Sequence, residues 1–379
     1  MGGADFTTMK ILRVASDLYP AVVGGYGIHV HEMSRMQAEK GHDVTVLTAN
    51  TDGLPEEEWV DGYRVLRFNH SIKMVGNTIS PTLFFRLMEM RHDYDVIHAH
   101  SHLFFPTNVC ALVKKYDSAP LVITNHGIMS ASAPHWLNVG YMSTLGRWTL
   151  NAADRVICYT PVERDLLVSK FGVHPGGIAV IPNGVNTDIF RPDASRRDDG
   201  CRRLLWVGRY VKGKGIDFLI HAAAALVREV PDLQLTLVGE GPEEAEIRQL
   251  ATELRLDGHI EYLSFMTYDQ MPAQYQRAEM LVLPSLHEGV PRTMLEAMSC
   301  GRPVVISEFE HLRELVSGGG LMFPKGDVTA LADAIRNLLE HPDEADELGR
   351  RARETIIRQN SWRNTVESTL DLYRELVPA

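Results

Sequence analysis

Short runs of β-branched and aliphatic residues alternate with segments of helical period along the whole chain. In the first half, Lys10–Ser16, Asp43–Asn50, Tyr63–Phe68, Asp95–His100, Pro120–His126, Arg155–Thr160 and Ala179–Pro182 read as strands. In the second half, Arg203–Gly208, Leu233–Gly239, His259–Phe265, Met280–Pro284, Pro303–Ser307 and Gly320–Phe323 do so. Several are apolar at successive positions, the pattern of strands covered on both faces. The segments between them carry helical spacing. His29–Lys40 puts Val30, Met33 and Met36 on one face and stops at Gly41, and Asp327–Glu340 opens on an acid and stops before Pro342. Strand and helix in alternation predict parallel sheets with crossover helices.

The pattern breaks once, at Arg191–Arg202, where the polar stretch RPDASRRDDGCR interrupts it. A chain of 379 residues exceeds one ordinary core. The expected architecture is therefore α/β, with two doubly wound Rossmann-like domains facing across a cleft, divided between residues 190 and 191. Ligands of such sheets sit beyond the carboxyl ends of the strands, so candidate chemistry is sought there.

Composition narrows the function classes. Apolar residues make up 45% and charged residues 23%, ordinary for a globular protein, and the formal net charge of −11 gives no bulk attraction to nucleic acid. No apolar run is long enough to span a membrane. Residues 1–8 read as an extension ahead of Met9, without a secretory pattern, and Phe6 stands where myristoylation needs Ser or Thr. Cys110, Cys158, Cys201 and Cys300 form no C-x-x-C pair and read as reduced thiols of a cytoplasmic protein.

Four strand ends carry candidate chemistry. Gly208-Arg209-Tyr210-Val211-Lys212-Gly213-Lys214-Gly215 places positive side chains and three glycines where backbone amides can approach an anion. It has the G-x-x-x-x-G-K spacing of a phosphate loop, but Gly215 replaces the hydroxyl that would hold Mg²⁺, which argues against an NTPase. A tight strand-to-helix turn with solvated cations fits the same residues. Second, Glu288-Gly289-Val290-Pro291-Arg292-Thr293-Met294-Leu295-Glu296 follows the strand MLVLP. Pro291 suits a helix start, whose free amides near Arg292 and Thr293 attract an anion. Glu296, further along, can accept two ribose hydroxyls. An acid-capped amphipathic helix explains the spacing equally well. Third, Gly24-Gly25-Tyr26-Gly27 reads as a loop that can offer amides to a phosphate, or as a flexible turn. Fourth, His126 ends a strand in Thr124-Asn125-His126-Gly127 and can donate to a developing charge or a sugar hydroxyl, or be structural. His98, His100 and His102 alternate along another strand end but lack an acidic ligand, and Asp93-Tyr94-Asp95 lies at a helix-to-strand turn, so neither reads as a metal site. Ile72–His92 mixes Lys73, Arg86, Arg91 and His92 with Phe84, Phe85 and Leu87. It reads either as an amphipathic helix making peripheral membrane contact or as a core-facing helix plus a loop.

Taken in order, these features resemble the retaining family 4 glycosyltransferases with the two-domain GT-B architecture. The resemblance rests on the pair Gly24–Gly25, His126, the segment IPNGV (Ile181–Val185) with Phe190, Val207–Arg209 with Lys214–Gly215, Val238–Pro242 (VGEGP), Glu288 with Glu296, and Ala297–Val305. It implies an acceptor domain over 9–190, joined by the helix 361–379, and a donor domain over 191–360. Arg209 and Lys214 would neutralise the diphosphate of a nucleotide sugar, and Glu296 would hold its ribose. Glu288 and the stretch after it (Gly289, Val290, Thr293, Met294 and Leu295) would contact the donor, with Met266 shaping the base pocket. Gly24 and Gly25 would approach the phosphate, and His126 would contact the transferred sugar. Catalysis would fall to His126, Glu288, Arg209 and Lys214 with no metal and no cofactor beyond the donor, foremost a UDP-sugar. The acceptor would be a sugar, polyol or lipid-linked hydroxyl. Two departures stand out: Glu-Gly-Val-Pro replaces the commoner Glu-Gly-Phe-Gly, and Asn186 replaces the family's acid after NGV. A sugar-nucleotide epimerase, a phosphorylase and a non-catalytic nucleotide-sugar binding module share the architecture.

Overall fold

The computed structural model describes residues 8–21, 24–50, 53–69, 72–74, 77–116, 118–127, 135–193, 200–264 and 266–377. The chain divides into two compact units. One runs to Pro182 and takes in the chain from Trp362 onward, and the other is Asn183–Ser361. The polar stretch seen in the sequence begins eight residues after this division. Val185 and Phe190, which precede it, are fully buried in the second unit's core.

The first unit holds strands β1 (Lys10–Val14), β2 (Asp43–Ala49), β3 (Glu57–Val60), β4 (Tyr63–Phe68), β5 (Ile72–Met74), β6 (Asn77–Ile79), β7 (Val96–His100), β8 (Leu121–Thr124), β9 (Arg155–Cys158) and β10 (Ile178–Val180). Eight of them form one sheet in the order β10-β9-β8-β7-β1-β2-β4-β3, parallel except where β3 runs against β4. Alternate residues feed two apolar clusters, one per face. Ile11, Val96, Val122 and Ile157 meet Trp362, Val366 and Tyr373 of the helix Trp362–Leu376, while Leu12, Ile97, Ile123 and Val156 face the other way.

The second unit holds β11 (Arg202–Val207), β12 (Leu233–Val238), β13 (Ile260–Leu263), β14 (Met280–Leu283), β15 (Val304–Ser307) and β16 (Gly320–Phe323), all parallel, in the order β13-β12-β11-β14-β15-β16. The strand order reverses between β11 and β14, as it does between β1 and β7 in the first sheet. The carboxyl ends of such a pair open a crevice.

Helix ends follow local chemistry. Asp327 accepts the Ala330 N–H ahead of Val328–Glu340. Thr160 accepts the Glu163 N–H ahead of Pro161–Phe171, which ends at Gly172 in the left-handed region.

Three readings change. The glycine segment is not a loop: Gly25, Tyr26 and Gly27 form the first turn of the helix Gly25–Glu39, with Gly24 as its extended cap. Ile72–His92 is not one helix. Among its described residues β5 and β6 pair antiparallel and Thr82–Met90 is the helical part, because Pro81 lacks a donor and biases Ser80 to extended backbone. That helix buries Leu83, Leu87 and Met90 and exposes Phe85. His102 leaves the face of His98 and His100, because Ser101 at φ 61 turns the chain. Among the described residues, no helix is long and apolar enough to cross a membrane. None of the four cysteines is in a disulfide.

Candidate functional site

The β11–β14 crevice gathers most of the sequence-predicted donor residues. After β11 the chain makes a tight turn over Lys212–Lys214 and passes through Gly215 at φ 60. A Cβ on Gly215 would lie 2.2 Å from the Pro284 carbonyl oxygen at the end of β14. The glycine is what lets the two loops touch, and the Leu286 N–H donates to the Gly213 carbonyl across them. Lys214 is thereby carried to Glu288: Nζ lies 2.5 Å from Oε1, which also accepts from Ser285 Oγ at 2.8 Å. The loop after β12 closes on the same place. Gly239, at φ 140, sits so close that a Cβ would meet the Gly208 carbonyl oxygen at 1.8 Å. Arg209, between these glycines, is exposed and enters no ion pair among the described residues.

Beyond Glu288 the helix Arg292–Ser299 begins, with Pro291 as its cap and no side-chain acceptor for its first turn. The Met294 and Leu295 amides turn back to the Pro291 carbonyl, and the Thr293 amide stands just ahead of them, in the first turn where helix N–H groups lack intrahelical partners. Met294 and Leu295 side chains are fully buried, so a ligand meets this stretch through backbone and Thr293. Gly289 accepts from His311 Nε2 through its carbonyl, and Val290 and Met266 pack half-buried on the core.

Glu296 is buried and already bonded. Oε1 accepts from Arg292 Nε at 2.9 Å and Oε2 from Tyr275 OH at 2.8 Å. Arg292 also donates to Tyr268 OH at 2.7 Å. Burial raises the carboxyl above its ordinary range, although Arg292 and Tyr275 pull it down. A carboxylate has about four lone-pair directions, so these two bonds leave acceptor capacity over. Arg292, Tyr275 and Tyr268 went unread in the sequence. Only Arg292 had a local signal, four residues before an acid on a helix.

In the first unit the site residues lie at the ends of β1, β7 and β8. Tyr26 joins them: its hydroxyl accepts the Ser16 N–H at 3.1 Å and donates to the His100 carbonyl at 3.2 Å. His126, half-buried just after β8, hydrogen-bonds His100 through Nε2 and Tyr159 OH through Nδ1. Burial brings its pKa down to about 3, so it is neutral at ordinary pH. His29, His100 and His126 bring ring nitrogens within 4.8 Å of one another. The guanidinium of Arg13 donates to His100 at 2.9 Å. That fixed positive charge beside the rings opposes a cation there. His102 lies apart, with Nε2 3.2 Å from Met142 Sδ, and Asp95 accepts the Lys10 N–H at 2.7 Å in a structural role.

The profile described as Glycosyltransferase Family 4 matches residues 23–189, and that described as Glycosyl transferases group 1 matches residues 189–355. Glycogen synthase of Mycobacterium tuberculosis is 30% identical, over 96% of this chain and 94% of that protein. D-inositol 3-phosphate glycosyltransferase of Acidothermus cellulolyticus is also 30% identical, over 98% of this chain and 92% of that protein. Among solved structures, sucrose-phosphate synthase from Thermosynechococcus elongatus matches 97% of this chain and 99% of its own, with a TM-score of 0.82 at 25% identity. HepE of Anabaena in complex with UDP-glucose matches 97% and 100%, with a TM-score of 0.79 at 20% identity.

Proposed function

The chain belongs to the family 4 (group 1) glycosyltransferases of GT-B fold, nucleotide-sugar-dependent enzymes, and from that premise we propose retaining, metal-independent transfer of a hexosyl group from a UDP-sugar to a sugar, polyol or lipid-linked hydroxyl. The observation that carries this reading is the Lys214–Glu288 pair, set at the β11–β14 crevice beside an uncapped helix start. A cation held by a local carboxylate, next to a helix N-terminus, is a seat for a diphosphate. When the donor arrives, Lys214 turns from Glu288 to the phosphates. Glu288 is then released toward the sugar hydroxyls, Arg209 adds a second positive charge, and Glu296 accepts from the ribose. His126 contacts the transferred sugar, and the helix start at Gly24 and Gly25 offers amides to phosphate.

The bond that breaks joins the anomeric carbon to the outer phosphate oxygen. The acceptor oxygen attacks that carbon from the same face, its proton passes to the departing phosphate oxygen, and the nucleoside diphosphate leaves with the bonding pair. Charge builds on that diphosphate. Lys214, Arg209 and the N-terminus of the helix Arg292–Ser299 stabilise it, and fixed donors of this kind are often the largest catalytic contribution. The UDP-glucose complex of HepE supports the donor, and the names of the curated relatives support glucan and inositol acceptors.

The test is a panel of UDP-, ADP- and GDP-glucose scored by thermal shift. Transfer to maltooligosaccharides and inositol phosphates follows by mass spectrometry and proton NMR. The reading predicts stabilisation by UDP-glucose and an α-linked product. An inverted product, or indifference to all three nucleotide sugars, overturns it.

A further inference from the structure

Arg13 lies in the middle of β1, opposite His98 on β7, and is fully buried. Buried guanidinium groups are ordinarily paired with carboxylates. Arg13 enters no ion pair among the described residues. Its hydrogen bonds include those to Gln37 Oε1, to His98 Nδ1 at 3.1 Å and to His100 Nε2 at 2.9 Å, and Tyr373 OH lies against both Arg13 and His98 Nδ1.

This arrangement dictates the protons on the rings that follow, because arginine can only donate. His100 Nε2 must accept, so neutral His100 carries its proton on Nδ1. That N–H points at His126 Nε2, 3.0 Å away, which must accept in turn. The proton of His126 is then on Nδ1, where it donates to Tyr159 OH at 2.9 Å. We propose that Arg13 and His100 are positioning residues for glycosyl transfer, a one-way hydrogen-bond chain that holds His126 as its neutral Nδ1–H tautomer, so that the Nδ1 proton, shared here with Tyr159 OH, is the only one the ring can offer.

Three features support the chain. A second proton on either ring would set donor against donor, at Arg13 or between the two histidines. Burial also keeps His98 and His100 well below the ordinary histidine range. And His29 and Tyr26 pack edge-on against the ring of His126, with centroids at 4.8 and 5.0 Å, which restrains its turning over. The same donor on Arg13 makes His98 accept at Nδ1, which leaves its Nε2–H for Thr124 Oγ1 at 2.7 Å. Hydrogen bonds in series polarise one another. The positive charge of Arg13 is thus expressed at Nδ1 of His126 while the cation stays buried.

The inference rests on the reading of His126 as a contact of the transferred sugar, and the experiment separates the two. Long-range ¹H–¹⁵N spectra of the ¹⁵N-histidine-labelled protein, without substrate, report which nitrogen of His126 bears the proton. The expected result is Nδ1–H, the opposite of the tautomer a free neutral histidine side chain favours. His100→Leu removes the chain, whereas His100→Gln keeps one acceptor and one donor. In His100→Leu and Arg13→Met the proton moves toward Nε2. There kcat for UDP-glucose turnover, read as UDP released, falls roughly tenfold, the scale of one lost neutral hydrogen bond, with KM nearly unchanged. His100→Gln restores Nδ1–H and most of kcat. Should Arg13→Met fail to fold, the two His100 variants carry the test. Wild-type His126 protonated on Nε2, or an unmoved proton in His100→Leu, overturns the chain itself. Wild-type kcat in His126→Ala overturns the sugar contact instead, and the kinetic half of the inference with it.

Discussion

Both sheets reverse strand order, one between β1 and β7 and the other between β11 and β14, yet the two crevices are furnished in opposite ways. At β11–β14 the groups are charged and sit on loops. Lys214 and Glu288 neutralise each other within reach of solvent, and Arg209 is exposed. At β1–β7 the groups are neutral rings on strand ends and interiors, ordered by one fully buried cation. The difference follows from what each can do. A site that takes up and releases an anion needs cations that can change partners at little cost, and ion pairs near solvent allow that. A buried network is costly to rearrange, because any group left without its partner loses its desolvation compensation. It serves to fix orientation and proton position.

Substitutions can break this contrast or sharpen it. The largest effect belongs to the exchangeable cation. Lys214→Ala is expected to lower turnover of UDP-glucose by about 10²–10³, the usual cost of losing one donor to developing charge. Steady-state UDP release measures it, and activity within a few-fold of wild type would remove Lys214 from the site. Next comes Glu296→Gln, which keeps the shape but weakens the acceptor for ribose. Donor affinity should fall about tenfold, on the scale of a hydrogen bond to a charged group, with kcat less affected. Calorimetry and kinetics together distinguish this from a general loss of fold. Gly215→Ala tests the junction that brings the two loops together. The left-handed backbone alone costs a side chain about 1–2 kcal/mol, and the Pro284 carbonyl adds a clash. Both a lower Tm and a loss of activity near that of Lys214→Ala are expected. An unchanged Tm would show that the loop has room.

The last effect lies on the first unit and concerns stability against pH rather than activity. Burial pushes the Glu163 carboxyl up to about 7, against backbone hydrogen bonds from Tyr159 and Thr160. Its folded-state pKa thus stands above the value of about 4.3 in an unfolded chain. Between these values the folded state holds a proton the unfolded state has lost. The contribution to stability is full below about pH 4.3 and is lost as pH rises through about 7. Urea denaturation from pH 4 to 8 should show this decline in the wild type and a flatter profile in Glu163→Gln. Parallel profiles would mean that the carboxyl is ionised throughout.

The same contrast explains what the sequence made legible. Strands such as MLVL and VVIS are apolar at nearly every position because both faces are covered, and they read directly. β3 escaped because Glu57-Glu58-Trp59-Val60 is a charged edge strand with its side chains largely in solvent. β5 and β6 are three residues each and merged with the helix that follows. Lys214, Glu288 and Glu296 were legible because each lies a fixed step beyond a strand. The histidine chain was not. It joins Arg13 and His100, in β1 and β7, to His126 and Tyr159, just after β8 and β9, and no local spacing relates them. Its local traces were separate: His126 at one strand end, His98 and His100 alternating on another, and Arg13, a charge inside the strand KILRV.

The central claim is that the second unit seats a nucleoside diphosphate between Lys214 and the start of the helix Arg292–Ser299. Isothermal titration of UDP into the wild type, Lys214→Ala and Glu296→Gln tests it without an acceptor. The account predicts binding to the wild type that weakens with salt, as a contact between opposite charges does. It also predicts an affinity lower by about tenfold in each variant, with a shallower salt dependence in Lys214→Ala alone. Equal affinity for UDP in all three proteins would contradict it.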